Sequence, residues 1–135
     1  MKYFTIKELC TSATATKLGI KNEPTWLQRN NLRFLVNNVL DPIREKWGAP
    51  VIVNSGYRCP LVNQAVSGAW NSQHMRGQAA DIRPKDRTRT GEFKKTIKQM
   101  IKDGLVFDQA IFYPTFVHIS YKTTIGTNRK QLIIK

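Results

Sequence analysis

Acidic residues, cysteines and histidines are scarce in this chain, and each shortage excludes something. Two cysteines, Cys10 and Cys59, stand far apart, and neither has the CxxC neighbour that a zinc ribbon needs. Two thiols are too few for a disulfide framework, so unpaired cysteines are expected, with a Cys10–Cys59 bridge as the alternative. No apolar run approaches the roughly 20 residues of a membrane-spanning helix. The opening residues MKYFTIKELCTSATATKLG lack the apolar core of a secretory leader. The expectation is a soluble product made in the cytoplasm that must be released to meet any substrate beyond the membrane. No repeat, low-complexity tract or linker divides the sequence, so a single domain over residues 1–135 is expected.

Asp and Glu number 9 against 22 Lys and Arg, giving a net charge of +13 and a pI near 10.2. A field of that sign attracts polyanions without saying which. No helix-turn-helix, zinc-finger or aromatic-basic RNA motif is present, so charge alone does not make a nucleic-acid binder. Between Arg83 and Lys102 only Asp86 and Glu92 interrupt the basic residues, and Lys94, Lys98 and Lys102 fall at i, i+4 and i+8. That spacing stacks them on one helical face, either as a solvated surface or as a patch for anionic polymers.

What is present is enough apolar residue for a core, at 41%. Leu32, Leu35, Val36, Val39, Leu40, Ile43 and Trp47 follow a helical period, predicting a long amphipathic helix from Trp26 to Trp47. Pro42 inside it should kink it, because proline donates no hydrogen bond and crowds the preceding turn. Short helices are predicted over Thr5–Leu9, Ala13–Leu18 and Pro60–Val66, and a second amphipathic helix over Thr90–Asp103. Val51–Ser55, Ala79–Arg83, Val106–Phe112, Phe116–Tyr121 and Lys130–Ile134 read as strands, with a hairpin turning at Tyr113-Pro114-Thr115. Helices first and strands later give an α+β layout, N-terminal helices on a small antiparallel sheet.

The two histidines carry the chemistry. His74 lies in Ser72-Gln73-His74-Met75-Arg76-Gly77-Gln78-Ala79-Ala80-Asp81, and His118 in Phe116-Val117-His118-Ile119-Ser120. Gly77 permits a tight reversal after His74. Period-two alternation sends His118 to the face opposite Val117 and Ile119. If the Asp81 strand shares a sheet with the hairpin, two imidazoles and a carboxylate converge on one face. That donor set suits Zn²⁺ and leaves a fourth position for water.

The pattern Ser-x-His-x-x-Gly-x-Ala-x-Asp, with a later x-Val-His-x strand, resembles the M15 metallopeptidases, including D-alanyl-D-alanine carboxypeptidases and phage endolysins. Tyr3-Phe4, Glu8-Leu9, Asn31-Leu32, Leu40-Asp41-Pro42-Ile43-Arg44, Ser55-Gly56-Tyr57-Arg58, Asn63, Phe107-Asp108-Gln109 and Asn128-Arg129 extend the likeness over essentially the whole chain. The resemblance implies a Hedgehog/DD-peptidase-like fold and a zinc ion on His74, Asp81 and His118. It also implies an Arg58 guanidinium near the scissile carbonyl, where it can stabilise developing negative charge. The implied substrate is the peptide stems of bacterial peptidoglycan, cut as a carboxypeptidase or an endopeptidase, as in a phage lysis enzyme.

One departure stands out. Many relatives carry an acid shortly before the last histidine, as general base. Here Thr115 stands three residues before His118, and no carboxylate lies between Asp108 and His118. Asp108 is then the candidate base or ligand brace. If hairpin partners sum to 228, Asp108 shares the face of His118; one residue out of that register, Tyr113 takes the site face instead. The competing reading is a catalytically degenerate, zinc-stabilised module that binds the cell wall or serves as a virion structural part.

Overall fold

A computed structural model describes residues 1–123 and 126–135 of the chain. Two short helices open it, α1 (Ile6–Cys10) and α2 (Ala13–Leu18). Thr5 and Ser12 cap them by accepting the Glu8 and Ala15 amides, groups a helix start otherwise leaves unpaired. The long apolar stripe forms a helical run in three parts. These are α3 (Trp26–Leu35), a π-helical turn (Val36–Leu40) and α4 (Asp41–Trp47).

The π turn is how the chain accommodates Pro42. Its wider loop lets the Asp41 amide reach back to Val36 O, so the missing proline donor and the crowded carbonyl fall where the ladder is already reset. The stripe survives the change: Leu32, Leu35, Val36, Val39, Leu40 and Ile43 are fully buried.

After β1 (Val51–Ser55) come the short helix α5 (Pro60–Ala65), β2 (Ala79–Pro84), α6 (Thr90–Lys102), β3 (Gln109–Phe112), β4 (Val117–Ser120) and β5 (Gln131–Ile134). The strands form one sheet in the order β1-β2-β4-β3-β5. The α+β class therefore stands, but the sheet is mixed where an antiparallel one was expected. β5 runs parallel to β3. The reason is occupancy: β4 is flanked by β2 and β3, so a further hairpin strand has no free edge beside it. The chain crosses instead to the open side of β3.

Register fixes which side chains meet. Across β2 and β4 the pairs are Ala80 with Ile119, Asp81 with His118 and Ile82 with Val117. Ala80, Ile82, Val117 and Ile119 face the helices and are fully buried. Slipping by one residue would expose the three branched side chains, each worth ~1.5–3 kcal/mol when buried. The core thus holds Asp81 and His118 together on the opposite face.

The β3–β4 hairpin pairs Ile111 with His118 and Phe112 with Val117, a sum of 229. That is one residue away from the register that would put Asp108 on the histidine face. Cys10 and Cys59 are both free thiols. Burial, partly opposed by Arg29, pushes the Cys10 pKa up to about 11, which disfavours the thiolate.

Candidate metal centre

Three local structures bring the site together. The first is the reversal between α5 and β2. Ser72 Oγ accepts the His74 amide at 3.2 Å and starts a single 3₁₀ turn over Gln73–Arg76. Gly77 ends it at φ +72°, and a Cβ there would collide with Gln28 O at the start of α3. Asn31 and Gln28 donate to the Arg76 and Met75 carbonyls at 2.9 and 3.1 Å, fastening the turn to α3. His74 ends up 3% exposed.

The second is the β2–β4 pair carrying Asp81 and His118. The third is a bulge in β1: Val53 pairs with Ile82 but Ser55 with Asp81, so Asn54 is the extra residue. Bulges re-aim side chains next to sites. Here the bulge sets Ser55 Oγ to accept Arg58 Nε at 3.0 Å.

In the result, donor atoms of His74, Asp81 and His118 all lie within 4.8 Å of one another. His118 Nδ1 is 2.9 Å and His74 Nε2 3.3 Å from the same oxygen, Asp81 Oδ1. The two rings sit edge to face, 5.1 Å between centroids. His74 Nδ1 is 2.7 Å from the Gly56 carbonyl, which can only accept, so that nitrogen carries the proton. The remaining Nε2 then aims a lone pair at a carboxylate oxygen.

Two electron-rich atoms in that position need a cation between or beside them, either a further proton or a metal ion. The Gly56 carbonyl behind the imidazole is the outer partner that metal-binding histidines ordinarily have. The donor set of two nitrogens and a carboxylate oxygen fits a zinc ion. Burial pushes the Asp81 pKa up, but hydrogen bonds and charge from His118 and His74 outweigh it and hold the carboxyl well below the usual range.

Arg58 joins this group. Its NH2 lies 3.4 Å from Asp81 Oδ2 and its NH1 3.5 Å from Asn63 Oδ1, while its backbone amide donates to His74 O at 3.1 Å. The guanidinium therefore braces the carboxylate and lines the cleft at once. Burial lowers its pKa and Asp81 opposes the change, leaving a charged group.

Asp108 is not part of the constellation. It is fully buried, and both of its oxygens are engaged. Arg129 donates to Oδ1 from its backbone amide and Nε, each at 3.1 Å, and to Oδ2 from NH2 at 2.8 Å. Gln73 Nε2 donates to Oδ2 at 3.2 Å, and Lys122 Nζ stands 3.7 Å from Oδ1. Tyr113, in contrast, lines the cleft and stacks on Phe116 at 4.6 Å.

The cleft above the three donors has a volume of about 700 Å³. Its lining cations are Arg58, Arg76, Lys122 and Arg129. Among the described residues lining it, Asp81 is the one carboxylate. Sequence reasoning did not single out Arg76 or Lys122, nor the Gly56 carbonyl. A backbone acceptor leaves no residue-type signal, and in so basic a chain two more cations do not stand out.

The lysine stripe is used unevenly. Lys94 Nζ donates to Tyr113 O at 3.2 Å, Lys98 lies 5.3 Å from the Phe112 ring centroid, and Lys102 is exposed.

Comparison with known families gives one match. The sequence model of the family described as Peptidase M15 matches residues 2–120. No curated protein matches the chain.

Proposed function

The chain belongs to the peptidase M15 family, and from that premise we propose that it is a zinc-dependent hydrolase of the peptide stems of bacterial peptidoglycan. The observation that carries the reading is the convergence of His74, Asp81 and His118 at the foot of a cleft, with Arg58 fixed beside them. A zinc ion on those three donors would supply a Lewis acid that polarises a carbonyl and lowers the pKa of water. The chain's own residues do the rest. Gly56 O holds the proton on His74 Nδ1 and so keeps the ring in the ligating tautomer.

Arg58 offers N–H donors where negative charge develops on the substrate carbonyl, and its bonds to Ser55 and Asn63 hold it there in advance. Arg76, Lys122 and Arg129 give the walls a positive field that suits peptides bearing carboxylates, as peptidoglycan stems do. Tyr113, a phenol on the cleft wall, is the candidate for moving a proton where relatives use an acid. Of the stripe Lys94, Lys98 and Lys102, the exposed Lys102 would add affinity for the anionic polymers of the envelope.

The test is a digest of purified sacculi by the zinc-loaded protein, with and without a chelator, read by mass spectrometry of the muropeptides. Chelator-sensitive loss of cross-links or terminal residues is expected. An unchanged muropeptide profile would overturn the enzymatic reading. One observation favours a second reading: Asp81 is the only cleft carboxylate among the described residues, and it is taken up by the metal site. A zinc-stabilised wall-binding module would pellet with sacculi, hold zinc and cut nothing.

A further inference from the structure

At the lip of the cleft stands a tryptophan that the peptidase reading leaves unused. Trp70 is 87% exposed. Its chain neighbours Gly68, Ala69, Asn71 and Ser72 line the cleft, while its own ring stands outside. A scattered exposed apolar side chain needs no explanation by itself. What singles out Trp70 is the way the chain presents it.

Ser72 N donates to Ala69 O at 3.0 Å, closing a turn with Trp70 and Asn71 at its apex. The same Ala69 oxygen accepts the side-chain amide of Asn63 at 2.9 Å, and Gly68 N donates to the Asn63 carbonyl at 2.9 Å. Asn63 is buried. It touches the loop so closely that a Cβ at residue 68 would run into its Oδ1, which explains the glycine. Ser67 enters the turn at φ +55°, a conformation most residues avoid.

Asn63 also accepts from Arg58, so one buried amide ties the turn to the site. A braced turn thus holds an indole at the mouth of the cleft, where it contributes nothing to the core.

We propose that Trp70 is a stacking platform for a sugar ring of the substrate, the glycan to which the cleaved peptide is attached. The inference rests on the peptidoglycan reading above. A pyranose has an apolar face of C–H bonds and an edge of hydroxyls and amides. Trp70 offers the flat apolar surface, and Asn71 and Ser72, which follow it in the chain and line the cleft, offer hydrogen-bonding groups. A membrane or a protein partner would call for a contiguous apolar patch. The turn instead sets one large ring among small and polar residues.

Two measurements test this on the zinc-loaded protein. The first compares kcat/KM for a sugar-free stem peptide with that for the same peptide carrying its disaccharide. Trp70→Ala should lower the second about tenfold, the scale of one buried aromatic contact, and leave the first unchanged. Trp70→Phe should recover most of the loss. Equal values for wild type and Trp70→Ala on both substrates, or equal losses on both, would overturn the platform.

The second follows titration calorimetry with N-acetylglucosamine oligomers, with Trp26→Ala, at another exposed tryptophan, as the control. Saturable binding lost only in Trp70→Ala is expected. No Trp70-dependent binding would reject the proposal, as would Trp70-dependent partition onto lipid vesicles with no response to sugar. If the wild type cuts neither substrate, the peptidase reading fails while the oligomer titration still decides the platform.

Discussion

Asp81 and Asp108 sit beside the same cleft, both largely withdrawn from water, and their partners give them opposite roles. Asp81 shares one oxygen with two imidazoles, groups that can give up a proton and accept a metal instead. Asp108 is clamped by a guanidinium, a lysine and an amide. Arginine does not release its proton in a protein, so nothing around Asp108 frees a lone pair for proton transfer. The difference teaches that a carboxylate oxygen is open to a metal only when the partners on that oxygen can leave: Arg58 holds Asp81 Oδ2, while Oδ1 meets only the two imidazoles. Asp81 is a candidate ligand; Asp108 holds Arg129 and Gln73 in place along the cleft wall.

The largest effect should come from breaking the Asp81 side. Asp81→Ala, His74→Ala and His118→Ala should each lose stoichiometric zinc and lower kcat/KM on the order of 10³-fold or more, as loss of a metal's charge stabilisation predicts. Metal analysis beside a peptide assay checks this, and stoichiometric zinc in all three variants would dissolve the site. Next in size is Arg58→Ala. It should keep zinc yet lose turnover on the order of 10²–10³-fold, the scale of one oxyanion donor. Arg58→Lys should recover little, because a point charge cannot reproduce a planar fork that also meets Ser55, Asn63 and Asp81.

Much of this contrast was legible in the sequence, and the reason it stops where it does is physical. Period-two alternation around His118 and the glycine after His74 are local signals, and they point to the faces the strands adopt. Helical periodicity marked the run from Trp26 to Trp47, and Pro42 marked where it would break. It could not specify a π turn as the form of the break. The direction of β5 depends on which sheet edges are free, a property of the assembled sheet that Gln131–Ile134 do not carry. Asp108 was ambiguous for a sharper reason. One residue of hairpin register decides its face, and its partner Arg129 arrives from 21 positions along the chain.

Asp108→Asn sharpens the comparison at intermediate size. The amide keeps the shape but sets an N–H₂ against Arg129 or Gln73. A loss of about 1–3 kcal/mol of stability is expected, below the value for a fully buried pair because the Arg129 side chain is half exposed. Burial pushes the Asp108 pKa up, but Arg129 and Lys122 hold it below its usual value. A depressed folded pKa contributes stability above the unfolded pKa and loses it as pH falls through the folded one. Wild type should therefore weaken below about pH 4 more than Asp108→Asn does, measured as the change in Tm between neutral and acid buffer. Zinc should stay bound in the variant. Loss of turnover at full zinc occupancy, with KM unchanged, would return Asp108 to the role of base.

The smallest effect concerns the lysine stripe, where the same distinction between engaged and free charge applies. Lys94, Lys98 and Lys102 look equivalent by spacing, yet only Lys102 is exposed, while Lys94 bonds the carbonyl of the cleft residue Tyr113. Lys102→Gln should weaken pelleting with cell walls about twofold at low salt and leave cleavage of a soluble peptide unchanged. The pelleting difference should vanish near 1 M salt, where the Debye length falls to about 3 Å. Lys94→Gln removes a charge and also a bond that holds Tyr113, so it should reduce peptide cleavage as well, by about twofold, with a salt-independent component. If Lys102→Gln damages peptide cleavage as much as Lys94→Gln does, the stripe is not divided between wall binding and cleft support. The lysines would then act together through their summed field on the substrate.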